Sequence, residues 1–93
     1  MATSRAFSGV TVKVVSRIRQ VAHDEHGVVF DPSDGTTGTA TARTGIGDCV
    51  VHFVHDSVQS VLVLTLVKKP MLLPAALLWS GLSAELERLK RMP

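Results

Sequence analysis

A chain of 93 residues with a formal charge of +2 and a single cysteine has room for one domain around one core. It excludes an internal disulfide, a multi-cysteine zinc site and the dense basic block that grips a phosphate backbone. Hydrophobic residues make up 45% of the chain, more than so small an interior shelters, so apolar surface is expected to face a partner subunit, a ligand or a membrane.

In chain order, residues 1–8 (MATSRAFS) lack an apolar run of signal-peptide length and read as a flexible N-terminus. With the lone Cys49, they give a cytoplasmic expectation. From Gly9 to His23 the pattern alternates: Val10, Val12, Val14, Ile18 and Ala22 against Thr11, Lys13, Arg17 and Arg19. A period of two with β-branched residues predicts a strand. HDEHG (23–27) supplies a turn ending at a glycine suited to positive φ. VVF (28–30) is a short strand, and DPSDG (31–35) carries hairpin-turn chemistry. TTGTATART (36–44) is a strand whose Gly38, Ala40 and Ala42 share one face and leave room above it. After a turn at GIGD (45–48), CVVHFVH (49–55) alternates as a strand. VQSVLVLTLV (58–67) is apolar on both faces, which predicts a strand covered on both sides. Asp56-Ser57, between these two, is poor turn chemistry.

LVLTLVKKPMLLPAALLW (62–79) is broken by Lys68, Lys69 and Pro70, too early for the roughly 20 apolar residues of a transmembrane helix. Pro74 instead suits the first turn of a helix. Ala75, Leu78, Leu82, Leu86 and Leu89 then form an apolar stripe at helical spacing. Glu85 with Arg88, and Glu87 with Arg91, are spaced to pair on its exposed face. Gly81 in mid-helix points to close approach of another backbone. The predicted fold is α+β: a single domain over 1–93, with an antiparallel β-meander of about five strands (9–68) packed by one C-terminal amphipathic α-helix (73–91).

Residues with chemical potential are few. His23/His26 and His52/His55 have chelating spacing for a helix, but on a strand positions three apart face opposite ways, so His52 and His55 cannot share an ion. His23 and His26 fall in a predicted turn with no third ligand to name, and no metal is assigned. Cys49 and His55 lie roughly 20 Å apart on one strand, too far for a nucleophile and its base, and Cys49 reads as core. Asp31, Asp34 and Asp48 occupy turns, where the side chain bonds the local backbone. TGIGD (44–48) opens no helix, so it fails as a phosphate loop. The aromatics are only Phe7, Phe30, Phe53 and Trp79, too few for a nucleic-acid stacking surface. No cofactor and no nucleic-acid partner is expected. Shape remains: Val10, Val12, Val14, Val51, Phe53, Leu62, Leu64, Leu78, Trp79 and Leu82 are the expected lining of a pocket for a hydrophobic small molecule or lipid between sheet and helix. The alternative is that these side chains pack against one another.

DGTTGTATARTG followed by SVLVLTLVKKPMLLPAALLWSGLSAELERLK resembles the C-terminal part of the START/Bet v 1-like (polyketide cyclase/dehydrase and lipid transport, SRPBCC) superfamily. Its members close an antiparallel meander with a strand leading into a long amphipathic helix. The resemblance is best over residues 58–91 and looser over 9–91. It implies a ligand cavity between sheet and helix. The first strand and two short helices that precede the meander in that family have no evident counterpart here, which implies a half-fold completed by pairing of two chains. The leading expectation is therefore a non-enzymatic, homodimeric module binding an apolar ligand. A structural or interaction protein using its apolar surface for self-association or a partner chain comes second. A cyclase-like enzyme, with His52 or His55 as its polar group, comes third.

Overall fold

The structure, a computed structural model, describes residues 3–32 and 35–91. Ser33 and Asp34 of the expected hairpin turn, and Met1 and Ala2, lie outside the described residues. The elements are β1 (Thr3–Phe7), α1 (Val12–His26), β2 (Val29–Asp31), β3 (Thr37–Thr44), β4 (Gly47–Asp56), β5 (Val61–Lys68) and α2 (Ala75–Lys90). The strands form one antiparallel sheet in the order β1-β5-β4-β3-β2. β2 to β5 are a meander, and β1 returns to flank β5 through pairs such as Arg5 with Leu64 and Phe7 with Leu62. The first residues are therefore an edge strand where a flexible segment was expected.

The segment expected as a strand over 9–23 is helical. Thr11 caps α1, its Oγ1 accepting from the Val14 amide at 3.3 Å, and Gly27 ends it in the left-handed region with φ 64°. The alternation of Val10, Val12 and Val14 was misleading because it stops at Val14. From there Val14, Ile18 and Val21, with Val15 and Ala22 beside them, recur at three and four residues and turn a helical face inward. Val12 is 61% exposed, as befits the opposite side. Gly27 does take positive φ, but as a helix terminator.

The later elements match their expectations closely. β3, β4 and β5 overlie the expected strands, although β5 begins three residues late. The Asp56 carboxylate makes the β4–β5 turn workable, accepting from the amides of Val58 (3.0 Å) and Gln59 (3.1 Å), an Asx-type substitute for a glycine turn. The outer face of β5 is not covered in this chain: Val61 and Val63 are half-buried and Val67 is exposed. On the inner face Val51, Phe53, Leu62 and Leu64 are buried with Val10, Val14, Trp79 and Leu86. α2 runs as expected, with Pro74 just before its first turn. Glu85 pairs with Arg88, but Glu87 pairs with Lys90 (3.1 Å) in place of Arg91. No described helix is long and apolar enough to cross a membrane.

Candidate functional site

The two helices meet each other more closely than they meet the sheet. Arg17 of α1 donates from Nη1 to the Leu89 carbonyl at 2.7 Å, taking up one of the last carbonyls of α2. At the far end of α1, Glu25 meets Arg88 at 3.4 Å. Both contacts fall in the last turns of α2, so α1 is tied to the C-terminal end of α2. The strand beneath them is lined by small residues. Gly38, Ala40 and Ala42 pair with Phe53, Val51 and Cys49 on the same face, and Ala40 and Ala42 offer little bulk to fill the gap.

A cavity of about 560 Å³ results. Its floor comes from β3, β4 and β5 (Ala40, Ala42, Val51, Phe53, Leu62 and Leu64). Its roof comes from α1 (Val15, Ile18, Ala22) and α2 (Leu78, Leu82, Leu86), and Leu73 and Leu77 stand where the β5–α2 link joins it. Gly81 also faces this space, and a Cβ built there meets nothing within 4 Å. The expected close backbone approach at Gly81 is absent; the glycine widens the cavity.

Six of the ten residues expected to line a pocket do so: Val51, Phe53, Leu62, Leu64, Leu78 and Leu82. Four do not. Val10, in the loop before α1, and Val14 are buried core, and Val12 is exposed on the helix's outer side, because the chain turns helical at Val12 and the expected alternation of faces does not form. Trp79 is 2% exposed, with the Arg5 guanidinium 5.2 Å from its ring centroid. It packs toward the β1 edge, one helical step away from the Leu78–Leu82 stripe. Sequence reasoning missed the whole α1 contribution, although Thr11 as cap, Gly27 as terminator and the Val15–Ile18–Ala22 spacing were legible.

The polar groups of the site are few and mostly engaged. His26 and Glu85 border the cavity, and with Glu25 they place three candidate ligand atoms within 4.8 Å of one another. Arg88 already serves these acids, with Nη2 2.5 Å from Glu85 and 3.4 Å from Glu25. Its hydrogen bond is the main reason the Glu85 carboxyl is held below its ordinary value. The cluster is an ion-pair network joining the helices. Cys49, on the floor, is buried, and desolvation pushes its thiol up, away from the thiolate a nucleophile needs. His55 is buried too, its Nε2 2.6 Å from the Val10 carbonyl. With Nε2–H donating, it ties β4 to the loop before α1. His52, opposite Thr39 and Thr65 in the sheet, takes the other face, as strand geometry requires.

Arg19 is different. It borders the cavity with its guanidinium carbon 5.8 Å from the Phe53 ring centroid, and its Nη2 donates to the Gly35 carbonyl. Its Nε is buried without a partner. Comparison with protein-family models, with curated proteins and with solved structures found no match.

Proposed function

We propose that this chain is a non-enzymatic binding module that holds a hydrophobic small molecule or lipid between its sheet and its helix pair. The single observation that carries this reading is the cavity of about 560 Å³, walled almost entirely by aliphatic and aromatic side chains. That size is ordinary for a small-molecule site, and because the cavity opens to solvent past exposed residues such as Leu77 and Gly81, its apolar walls stay wet unless an apolar molecule covers them. The engaged state of the nearby polar groups favours binding over chemistry. The order of elements supports kinship with the START/Bet v 1-like superfamily: β1 and α1 precede a meander that ends in a C-terminal helix. One helix stands where that resemblance implies two.

The test is saturable uptake of an environment-sensitive apolar fluorophore by the folded chain. Ala40→Leu with Ala42→Leu fills the floor without introducing a charge and is expected to weaken uptake at least tenfold. A folded double variant that binds like the parent sinks the reading.

A second reading, self-association, is favoured by apolar surface outside the cavity. Met71 is 95% and Leu72 82% exposed, and the outer sheet face carries Val50, Val61, Val63 and Val67. A homodimer through that face would complete the cover that the sequence of β5 anticipates. Light scattering across a concentration series tests it, and Val63→Lys is expected to shift any dimer to monomer.

A further inference from the structure

We propose that the cavity selects apolar molecules bearing one acidic group, and that Arg19 is the residue that recognises it. This rests on the cavity being a ligand site and goes beyond it by naming the ligand's chemistry.

Arg19 lies on α1 between Ile18, which faces the cavity, and Gln20, which is exposed. Its guanidinium sits beside the Phe53 ring, on the cavity floor. One nitrogen donates to the Gly35 carbonyl, and Nε is buried and unpartnered. Among the described residues, no carboxylate forms an ion pair with it. The guanidinium is half-buried: its outer nitrogen meets the Gly35 carbonyl at an exposed position, while Nε, on the inner side beside the Phe53 ring, has no polar partner to offset its burial. The other charges at the cavity do not compensate it. Glu85 is held by Arg88 and approached by His26, and Arg43 adds a further positive charge. An anionic group carried by the occupant of the cavity would meet that unpartnered nitrogen and the charge beside it. A planar guanidinium matches a carboxylate in two parallel hydrogen bonds, and the aliphatic walls take the rest of the molecule. A medium-chain carboxylic acid has this composition, whereas a neutral alcohol or an amine of the same chain length lacks the charge.

The experiment is calorimetric titration of the full chain with decanoate, decan-1-ol and decylamine, each below its aggregation concentration. Decanoate is expected to bind at least tenfold more tightly than decan-1-ol, and decylamine more weakly than either. Arg19→Met keeps the aliphatic stem and removes the charge. It is expected to bring decanoate to the level of the alcohol while leaving alcohol binding within about twofold. Arg19→Lys is expected to restore part of the preference, since an ammonium keeps the charge but loses the two-pronged geometry. Equal binding of acid and alcohol by the parent chain overturns the proposal while leaving the cavity reading intact. So does a preference for the acid that survives in Arg19→Met. Binding of none of the three overturns both readings. If Arg19→Met does not fold, the comparison of acid with alcohol in the parent chain decides alone.

Discussion

Gly81 gives the sharpest test of how α2 lies over the sheet. It is an interior residue of α2 (Ala75–Lys90), and no atom outside its own turn lies within 4 Å of where a Cβ would stand. Replacing it with alanine restricts the unfolded chain and adds a good helix former, worth about 1 kcal/mol in an unhindered helix interior. The added methyl enters the cavity and meets no wall, so no overpacking term opposes the gain. In a domain of this size that stabilisation raises the melting midpoint by about 4–8 °C. Trp79, 2% exposed on the same helix but outside the cavity lining, provides the assay. Its emission reports unfolding without responding directly to a ligand, and far-ultraviolet dichroism checks that the transition is shared. The opposite expectation, that Gly81 sits where a backbone presses close, predicts destabilisation of 1 kcal/mol or more. A lower midpoint for Gly81→Ala would refute the open geometry of α2, and with it the cavity's volume.

Three further outcomes follow from the same packing. Gly38→Ala should fail where Gly81→Ala succeeds, because its Cβ would stand 2.6 Å from the Asp31 carbonyl oxygen and 2.8 Å from Pro32 Cδ; a loss of about 1–3 kcal/mol in urea unfolding is expected. His55→Ala strips the hydrogen bond to the Val10 carbonyl and empties a buried space, costing about 2–4 kcal/mol, and His55→Phe should recover the volume but not the bond. Cys49 favours its neutral thiol in the folded state, so its contribution is complete below the unfolded thiol value near pH 8.5 and is lost as pH rises above it. Cys49→Ala should flatten that alkaline decline measured by thermal unfolding, and a slope left unchanged would show that other groups cause it.

What could be read in the chain differs by element for a physical reason. β3 was legible because Gly38, Ala40 and Ala42 repeat with a period of two; the small size of Ala40 and Ala42 forecast the space above them, whereas Gly38 lies hard against Asp31 and Pro32 with no room above it. α2 was legible because Ala75, Leu78, Leu82, Leu86 and Leu89 repeat at helical spacing after a proline. Over α1 the local signals competed: three valines at alternate positions favour a strand, while Thr11, Gly27 and the later apolar spacing favour a helix. β-branched residues tolerate either state, and packing of Val14, Val15, Ile18 and Ala22 decides for the helix. β1 offered almost no pattern of its own in five residues. It becomes a strand by pairing with β5, where Ser4 and Thr65, 61 positions apart, share a hydrogen bond of 2.7 Å.

The sequence by itself determined the antiparallel sheet, the small-residue strip along β3 and the amphipathic tail helix, since each is written in the spacing of neighbouring side chains. Only the tertiary structure decided that α1 is a helix, that Val10, Val14 and Trp79 seal the core beside the cavity, and that Arg19 borders the cavity next to Phe53. Those outcomes depend on which distant segments meet, and the free energy of such meetings is shared between partners that no local period connects.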